Sequence, residues 1–254
     1  MQCHQICLFH LLYLQSLLVH LSFIEALLGS CEFNELDKES MSEELRKKLG
    51  IDESKPVDWF EKLYSESSEE GEGVPWANMD THPLFKSWIS ENPISGIGKT
   101  ALVVGCGMGD DAIELENAGF EVTAFDVSQT AIDFCKKRFP NSSVNFVQAD
   151  LLEGVSEWHH KFDFVLEIFT IQALPPKYED TLIQNVSDFV AKEGQLLVIT
   201  EVQEEKRAYE NGPPWLLNSD YIQSFEKRGL KQIFNSSNTE AEIGDEIHLT
   251  IFQR

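Results

Sequence analysis

The sequence predicts an α/β domain built on a mostly parallel β-sheet. From residue 100 onward, short apolar runs rich in β-branched residues alternate with helical segments, and such runs are typical of strands buried on both faces. Strands that alternate with helices pair in parallel through right-handed crossovers. The last two strand candidates, residues 230–235 and 246–252, have no helix between them, so we expect an antiparallel C-terminal hairpin at one edge.

The individual elements follow from local signals in chain order. The helix predicted over 110–118 begins with two acidic residues and stops at Gly119, as the helix dipole and a C-terminal glycine favour. Ser128 predicts the N-cap of the next helix, and apolar residues at helical spacing predict a third over 178–189. A last helix is expected over 220–228. The predicted parallel strands are residues 101–106, 122–125, 144–147, 162–169 and 196–202.

Composition and charge limit the classes of function. The 254 residues are 42% hydrophobic and 25% charged, which is typical of a globular protein with a packed core. The formal net charge of -23 would repel a phosphate backbone, so we expect no nucleic-acid partner. Of the five cysteines only Cys106 and Cys135 lie beyond residue 40, so no disulfide framework is indicated and a cytoplasmic location is favoured.

The chain divides into three parts by pattern. Residues 1–40 are interpreted as an apolar leader or a gene-model extension, because the Leu-rich run at 6–28 is interrupted by polar residues and no Lys or Arg precedes it. A targeting leader remains an alternative. Residues 41–98 are expected to form a helical lid segment with Ser42 as an N-cap, and residues 99–254 the main domain, without a membrane partner.

A glycine-rich turn follows the first strand of the main domain. Gly105, Gly107 and Gly109 allow a sharp turn and let a ligand approach the backbone, because no Cβ lies in the way. Asp126 ends the next strand, where its carboxylate can accept hydrogen bonds from both hydroxyls of a ribose. The combination predicts a nucleoside site at the carboxyl ends of the strands.

Charge distinguishes between nucleoside ligands. A dinucleotide fingerprint would place a third glycine at position 110, whereas this chain has Asp110 and Asp111 where the helix should receive a pyrophosphate. Two carboxylates oppose phosphate but suit a ligand with an ammonium and a sulfonium group, such as S-adenosylmethionine. A NAD-dependent oxidoreductase is the alternative from a second enzyme class.

Residues 74–254 resemble the class I S-adenosylmethionine-dependent methyltransferases. The resemblance lies in the glycine loop at 105–109, in Asp126 as the ribose acid, in the Ala-Asp-Leu run at 149–151 and in the turn at 192–196. It implies a Rossmann-like, doubly wound, seven-stranded sheet of order 3-2-1-4-5-7-6. The family often has an acid where this chain has Val103, so the acids that open the helix are candidates to hold the methionine amine. The expected cofactor-binding residues are Gly105, Cys106, Gly107, Gly109, Asp110, Asp126, Val127, Asp150, Leu151 and Glu167.

The methyl acceptor is expected beside this cofactor site. Segments 74–83, 167–175 and 212–215 carry aromatic residues with a few polar groups, which is typical of a small-molecule pocket. The Pro-Trp pair at 75–76 resembles the thiopurine and thiol methyltransferase-like branch. Methyl transfer by in-line displacement needs chiefly positioning, so a dedicated base is optional and no catalytic residue is assigned. The candidate acceptor-pocket residues are Trp76, Glu167, Gln172 and Trp215.

Other interpretations of single residues stay open. Asp126 or Asp150 alone could be a strand-end or cap residue, and Glu167 could equally solvate a strand terminus. His159 and His160 are expected in a solvated loop, and no metal site is predicted. The sequence predicts a methyltransferase, monomeric or weakly dimeric, that acts on a sulfur, oxygen or nitrogen atom of a small molecule. A methyltransferase-like cofactor-binding or regulatory protein without turnover is a further alternative.

Overall fold

The computed structural model describes residues 38–204, 207–239 and 246–254. Most of the predicted apolar leader, residues 1–37, therefore lies outside the described residues. The first helix, α1, spans Lys38–Leu49. Ser42 lies inside this helix rather than at its start, so its prediction as an N-cap was wrong, because the helix begins four residues earlier.

Seven helices and seven strands follow one another in the described residues. The helices are α1, α2 (Asp58–Ser65), α3 (Pro83–Glu91), α4 (Asp110–Asn117), α5 (Gln129–Arg138), α6 (Glu179–Phe189) and α7 (Tyr221–Glu226). The strands are β1 (Thr100–Val104), β2 (Glu121–Asp126), β3 (Asn145–Gln148), β4 (Phe162–Ile168), β5 (Val190–Val202), β6 (Lys231–Thr239) and β7 (Glu246–Gln253). Short 3-10 turns lie at Ser156–Trp158, Ile171–Ala173, Pro176–Tyr178 and Tyr209–Asn211.

The strands form one sheet of order β3-β2-β1-β4-β5-β7-β6, which confirms the predicted topology. Strands β1 to β5 pair in parallel, and β7 runs antiparallel to both β5 and β6. Val104 at the end of β1 lies between Phe125 of β2 and Glu167 of β4. The carboxyl ends of these strands therefore meet at one edge, where the connecting loops converge.

Both faces of the sheet are buried, as the apolar runs predict. Leu102 and Val104 pack on one side with residues of α6 and α7, while Ala101 and Val103 pack on the other with residues of α3, α4 and α5. Alternate strand positions point to opposite faces, so a strand covered on both sides is apolar throughout. Ser128 caps α5 as predicted, since its Oγ accepts a hydrogen bond from Ala131 N at 3.1 Å.

Several predicted boundaries shift for identifiable reasons. Strand β1 ends at Val104 because Gly105 adopts a φ of 60°, and β4 ends at Ile168 because Phe169 adopts a φ of 58°. Strand β5 begins at Val190 instead of residue 196, with an irregularity opposite residues 162–164 of β4. In the described part of the chain, no helix is long and apolar enough to cross a membrane.

Candidate functional site

A cavity of about 230 Å³ opens at the carboxyl ends of β1, β2 and β4, and the glycine loop forms its floor. Gly105, Gly107 and Gly109 all have positive φ values, of 60°, 51° and 90°. A Cβ at Gly105 would lie 2.4 Å from Oγ1 of Thr170, and one at Gly107 would lie 3.2 Å from the hydroxyl of Tyr64. Both the backbone conformation and the space therefore require glycine at the first position, and the backbone conformation favours it throughout the loop.

Asp126 lies at the end of β2 and lines the cavity. Its Oδ2 accepts a hydrogen bond from Gly107 N at 3.0 Å, and its Oδ1 accepts one from Ser128 N at 2.9 Å. The side chain is 7% exposed, and burial raises its pKa to about 6. Each carboxylate oxygen keeps a second lone pair, so the ionised group can hold the loop and still accept hydrogen bonds from a ribose.

The end of β3 forms the neighbouring part of the wall. Asp150 and Leu151, which follow β3, line the cavity here, together with Val127, which follows β2. Asp150 Oδ1 accepts a hydrogen bond from Leu152 N at 2.7 Å, and partial burial raises the Asp150 pKa. A carboxylate beside the buried Leu151 offers one polar and one apolar contact to a planar base.

The acids at the start of α4 differ from the expectation of two free carboxylates. Asp110 lines the cavity but pairs with Arg138, each of two N–O contacts being 2.8 Å long. Arg138 also donates to the carbonyl of Met108 in the glycine loop. Asp111 accepts a hydrogen bond from His82 N at 2.8 Å, and burial raises its pKa to about 7. The negative charge of these two acids is thus largely compensated within the protein.

An aromatic wall from the N-terminal segment covers the glycine loop. It consists of Trp59, Phe60, Tyr64 and Trp76, all of which line the cavity. The Trp59 and Phe60 rings stack with centroids 3.9 Å apart, and Trp76 Nε1 donates to the Tyr64 hydroxyl at 3.0 Å. Only Trp76 was a candidate from the sequence. The aromatic run within α2 was the available signal for the other three.

The acceptor end of the cavity, defined here as His82, Phe169, Gln172 and Glu201, lies beyond the carboxyl ends of β4 and β5. Gln172 Nε2 donates to Glu201 Oε2 at 2.8 Å, while Gln172 Oε1 accepts from Glu201 N at 2.8 Å. The His82 ring meets Phe169 edge to face at 5.2 Å, and burial lowers the His82 pKa to about 4. The imidazole is therefore neutral near pH 7.

Two sequence candidates for the acceptor pocket lie behind its wall, which corrects their expected position. Glu167 is fully buried, and its Oε1 accepts hydrogen bonds from Thr170 N at 2.7 Å and Ile171 N at 3.0 Å. Burial raises the Glu167 pKa to about 7. The Glu167 carboxylate thus stabilises the turn after β4. Because it is used in this way, we do not expect Glu167 to contact the cofactor, as the sequence had suggested.

Trp215 is the second of these, with 2% of its surface exposed. Its ring stacks on Tyr209 with centroids 5.8 Å apart, and its Nε1 donates to the Tyr209 carbonyl at 3.0 Å. The preceding Pro213 and Pro214 line the cavity in its place. The structure therefore brings Trp76 and Gln172 to the cavity together with the expected cofactor residues of the glycine loop, β2 and β3.

Arg46 ties the N-terminal segment to the loop after β5, a contact that sequence reasoning missed. Its Nη1 donates to the carbonyls of Tyr209, Glu210 and Gly212 at 3.2, 2.7 and 2.6 Å. Its guanidinium also lies 5.0 Å from the centre of the Tyr209 ring. These bonds fix the backbone immediately before Pro213, so α1 positions one wall of the cavity.

The arrangement of His, Cys, Asp and Glu side chains in the described residues differs from that of metal sites. Within residues 38–204, 207–239 and 246–254, no three His, Cys, Asp or Glu side chains are grouped so as to hold a metal ion. His159 and His160 follow the 3-10 turn at Ser156–Trp158, and His160 Nδ1 lies 3.2 Å from the Val190 carbonyl. Cys106 and Cys135 are both buried and free, and Cys135 Sγ contacts the Gly107 carbonyl at 3.2 Å.

Comparison with known proteins finds one matching family model and a curated relative. Residues 101–194 match a family model described as a methyltransferase domain. The chain is 25% identical over 169 residues to probable thiol methyltransferase 2 of Arabidopsis thaliana, and the match covers 62% of this chain and 72% of that protein.

Solved structures share the fold at lower identity. One, concerned with the conversion of a disulfide bond into a thioacetal group during echinomycin biosynthesis, has a TM-score of 0.61 at 18% identity and covers 78% of this chain and 92% of that one. A methyltransferase from Methanosarcina mazei that depends on S-adenosylmethionine has a TM-score of 0.53 at 17% identity, covering 65% and 96%. Phosphoethanolamine N-methyltransferase 2 of Haemonchus contortus, bound to phosphomonomethylethanolamine and S-adenosylhomocysteine, has a TM-score of 0.56 at 13% identity, covering 67% and 52%.

Proposed function

We propose that this chain is a class I S-adenosylmethionine-dependent methyltransferase, which its match to a methyltransferase domain over residues 101–194 supports, and that it transfers the cofactor's methyl group to a sulfur, oxygen or nitrogen atom of a small molecule. S-adenosylmethionine is the cofactor, and the NAD-dependent alternative is set aside. The observation that carries the proposal is one continuous cavity with two chemically different ends. Asp126 and Asp150 line one end, and His82, Gln172 and Glu201 line the other.

The residues at the first end fit the cofactor. The carboxylate of Asp126 keeps acceptor capacity beyond its two backbone hydrogen bonds, as a ribose requires. Packing against Thr170 requires glycine at position 105, and the loop therefore presents backbone without a Cβ to the cavity, against which the cofactor can lie. We assign the ribose to Asp126, the adenine to Asp150 and Leu151, and the methionine part to the glycine loop.

S-adenosylmethionine supplies a methyl group on a positively charged sulfur, and an acceptor atom displaces that sulfur in line. Such a displacement depends on the orientation of the two reactants and on the exclusion of water. In favourable systems, orientation alone lowers the activation barrier by about 7 kcal/mol or more. In this chain the aromatic wall, with Pro213 and Pro214, gives the cavity apolar sides that favour the release of water when the ligands bind. The hydrogen bonds between Gln172 and Glu201 hold polar groups in fixed positions beside the acceptor.

The lining of the cavity supports a small acceptor. Its aromatic walls with a few polar side chains are typical of a small-molecule pocket. We also predict that the protein is monomeric or weakly dimeric and that it is located in the cytoplasm. We predict no nucleic-acid partner. The lid role of residues 41–98 gains support from α2, because its aromatic side chains lie over the glycine loop.

Calorimetric titration of the full chain with S-adenosylmethionine, S-adenosylhomocysteine and NADH tests the cofactor assignment first. We expect micromolar binding of the two adenosyl ligands and none of NADH. The second step follows S-adenosylhomocysteine formation by mass spectrometry with panels of thiols, phenols and amines. Binding without a methylated product from any panel would favour a cofactor-binding protein without turnover.

A further inference from the structure

We propose that Glu61 of α2 is a positioning residue for the cofactor. It accepts a hydrogen bond from Ser128, which in turn holds Asp126 in the orientation that receives the ribose, and it thereby couples the docking of α2 to cofactor binding. This inference rests on the proposed function, because the ribose is assigned there to Asp126. Glu61 is not among the described residues that line the cavity, so it influences the cofactor only through other side chains.

Glu61 accepts hydrogen bonds from the start of α5, which lies 67 residues further along the chain. Its Oε2 accepts from Ser128 Oγ at 2.6 Å and from Thr130 N at 3.2 Å, and its Oε1 accepts from Thr130 Oγ1 at 2.6 Å. A carboxylate at this position satisfies backbone N–H groups that have no partner within the helix, and its charge is favourable beside the helix dipole. Partial burial acts to raise the pKa of Glu61, but the hydrogen bonds from Ser128 and Thr130 outweigh it and lower that pKa.

Ser128 links Glu61 to the carboxylate assigned to the ribose. Ser128 is fully buried, and its Oγ donates to Glu61 while it accepts from Ala131 N at 3.1 Å. Since a hydroxyl has one hydrogen, donation to Glu61 fixes the direction of both bonds. Ser128 N in turn donates to Asp126 Oδ1 at 2.9 Å, and Asp126 Oδ2 accepts from Gly107 N at 3.0 Å. The orientation of the Asp126 carboxylate therefore depends on backbone whose position Glu61 helps to fix.

The same helix also contacts the glycine loop. Tyr64 follows Glu61 by three residues, and side chains at this spacing are neighbours on a helix surface. Tyr64 is 1% exposed and packs with Met108 of the glycine loop and Ala131 of α5. Its hydroxyl would lie 3.2 Å from a Cβ at Gly107. One turn of α2 therefore holds both the glycine loop and the start of α5, which are the two segments that fix the Asp126 carboxylate.

The first turn of α2 contacts the loop after β5 instead. Trp59 and Phe60 line the cavity, and the buried Trp59 packs in one cluster with Leu45 of α1 and Trp215 of that loop. Helix α2 therefore joins the cofactor site to the loop that carries Pro213 and Pro214. Coupling between two equilibria is reciprocal, so the affinity that the docked helix adds for the cofactor equals the stabilisation that the bound cofactor adds to the docked helix.

A double-mutant cycle between Glu61→Ala and Asp126→Asn tests the inference by calorimetric titration of the full chain with S-adenosylhomocysteine. We expect Glu61→Ala to bind about fivefold more weakly than wild type, since water screens an exposed carboxylate and reduces what its hydrogen bonds contribute. In the Asp126→Asn background the same change should cost less than about twofold, because the group through which Glu61 acts is already lost. A merely structural role predicts that the two losses add.

Two further variants separate the hydrogen bonds of Glu61 from its charge. Glu66→Ala is the matched control, because this exposed carboxylate directly follows α2 and its removal changes the net charge identically. The control should bind S-adenosylhomocysteine as wild type does. Glu61→Gln keeps one acceptor oxygen for the start of α5, so it should bind only about twofold more weakly than wild type. Urea unfolding verifies that each variant is folded, and Glu61→Gln replaces Glu61→Ala in the cycle if the latter does not fold.

Hydrogen exchange of residues 58–65, measured by mass spectrometry, tests the coupling in the reverse direction. Saturating S-adenosylhomocysteine should slow exchange in α2 of wild type, and it should do so less in Glu61→Ala. If these effects are found but no acceptor is methylated, the proposed methyl transfer fails and the inference stands. Unchanged affinity in Glu61→Ala, an equal loss in the Asp126→Asn background, or exchange in α2 that the ligand leaves unchanged overturns the inference, while the cofactor assignment is confirmed by binding.

Discussion

Cofactor binding should weaken as the pH is lowered from 7.5 to 5, because Asp126 becomes protonated. Burial raises the pKa of this carboxyl to about 6. Hydrogen bonds from Gly107 N and Ser128 N already occupy one acceptor position on each oxygen. The ionised group can accept further bonds from two ribose hydroxyls, whereas protonation converts one of these positions into a donor.

The magnitude follows from the pKa. With a pKa of about 6, about a tenth of the protein carries an ionised Asp126 at pH 5 and nearly all of it does at pH 7.5. If only the ionised form binds well, the affinity for S-adenosylhomocysteine falls about tenfold, or about 1.4 kcal/mol. Protonation of Asp126 does not itself favour unfolding at pH 5. A carboxyl with a raised folded-state pKa contributes stability that is present at low pH and is lost as the pH rises through that pKa.

Isothermal titration of the full chain at pH 5, 6 and 7.5 measures this dependence, and buffers of different ionisation enthalpy count the proton released on binding. Asp126→Asn should bind about 1–3 kcal/mol more weakly at pH 7.5, because a hydrogen bond to a charged group is lost, and should be nearly independent of pH. Glu204→Gln, outside the cavity, should behave as wild type. Equal wild-type affinity at pH 5 and 7.5, or a full tenfold fall in Asp126→Asn, would refute the role of this carboxylate.

Three further predictions concern the loop and the walls of the cavity. Gly105→Ala should abolish cofactor binding in calorimetry, because the added Cβ would lie 2.4 Å from the hydroxyl oxygen of Thr170. Gly98 also has a positive φ, but a Cβ there would have no atom within 4 Å, so Gly98→Ala should bind the cofactor normally. Ionisation of Glu167, whose pKa is about 7, should account for about 2 kcal/mol of the stability that wild type loses between pH 5 and 8. Urea unfolding of Glu167→Gln should show a loss that is smaller by about this amount. Arg46→Ala should lower the free energy of unfolding, measured in urea, by about 1.5–3 kcal/mol and should raise the KM for the acceptor. Lys47→Ala removes only an exposed ion pair and should change neither quantity.

The sequence alone determined features that depend on a few neighbouring residues. The positive φ values of the glycine loop are accessible because glycine has no Cβ. The N-cap of α5 forms because the Ser128 hydroxyl accepts a hydrogen bond from the backbone N–H of Ala131, three residues later. The apolar strand runs predicted burial on both faces, and their alternation with helices predicted the parallel pairing. Conformational preference and hydrophobic periodicity act locally, so these features can be read along the chain.

Tertiary structure decided which side chains meet in the cavity. Arg138 compensates Asp110 across 28 residues, and Arg46 reaches the carbonyl of Tyr209 across 163. Glu167 lies behind the cavity wall because its carboxylate accepts bonds from its own turn, and burial alone raises its pKa. Whether a carboxylate faces a ligand, a cation or a backbone amide depends on the packing of distant segments and on the water that this packing removes, and neither is encoded in local spacing.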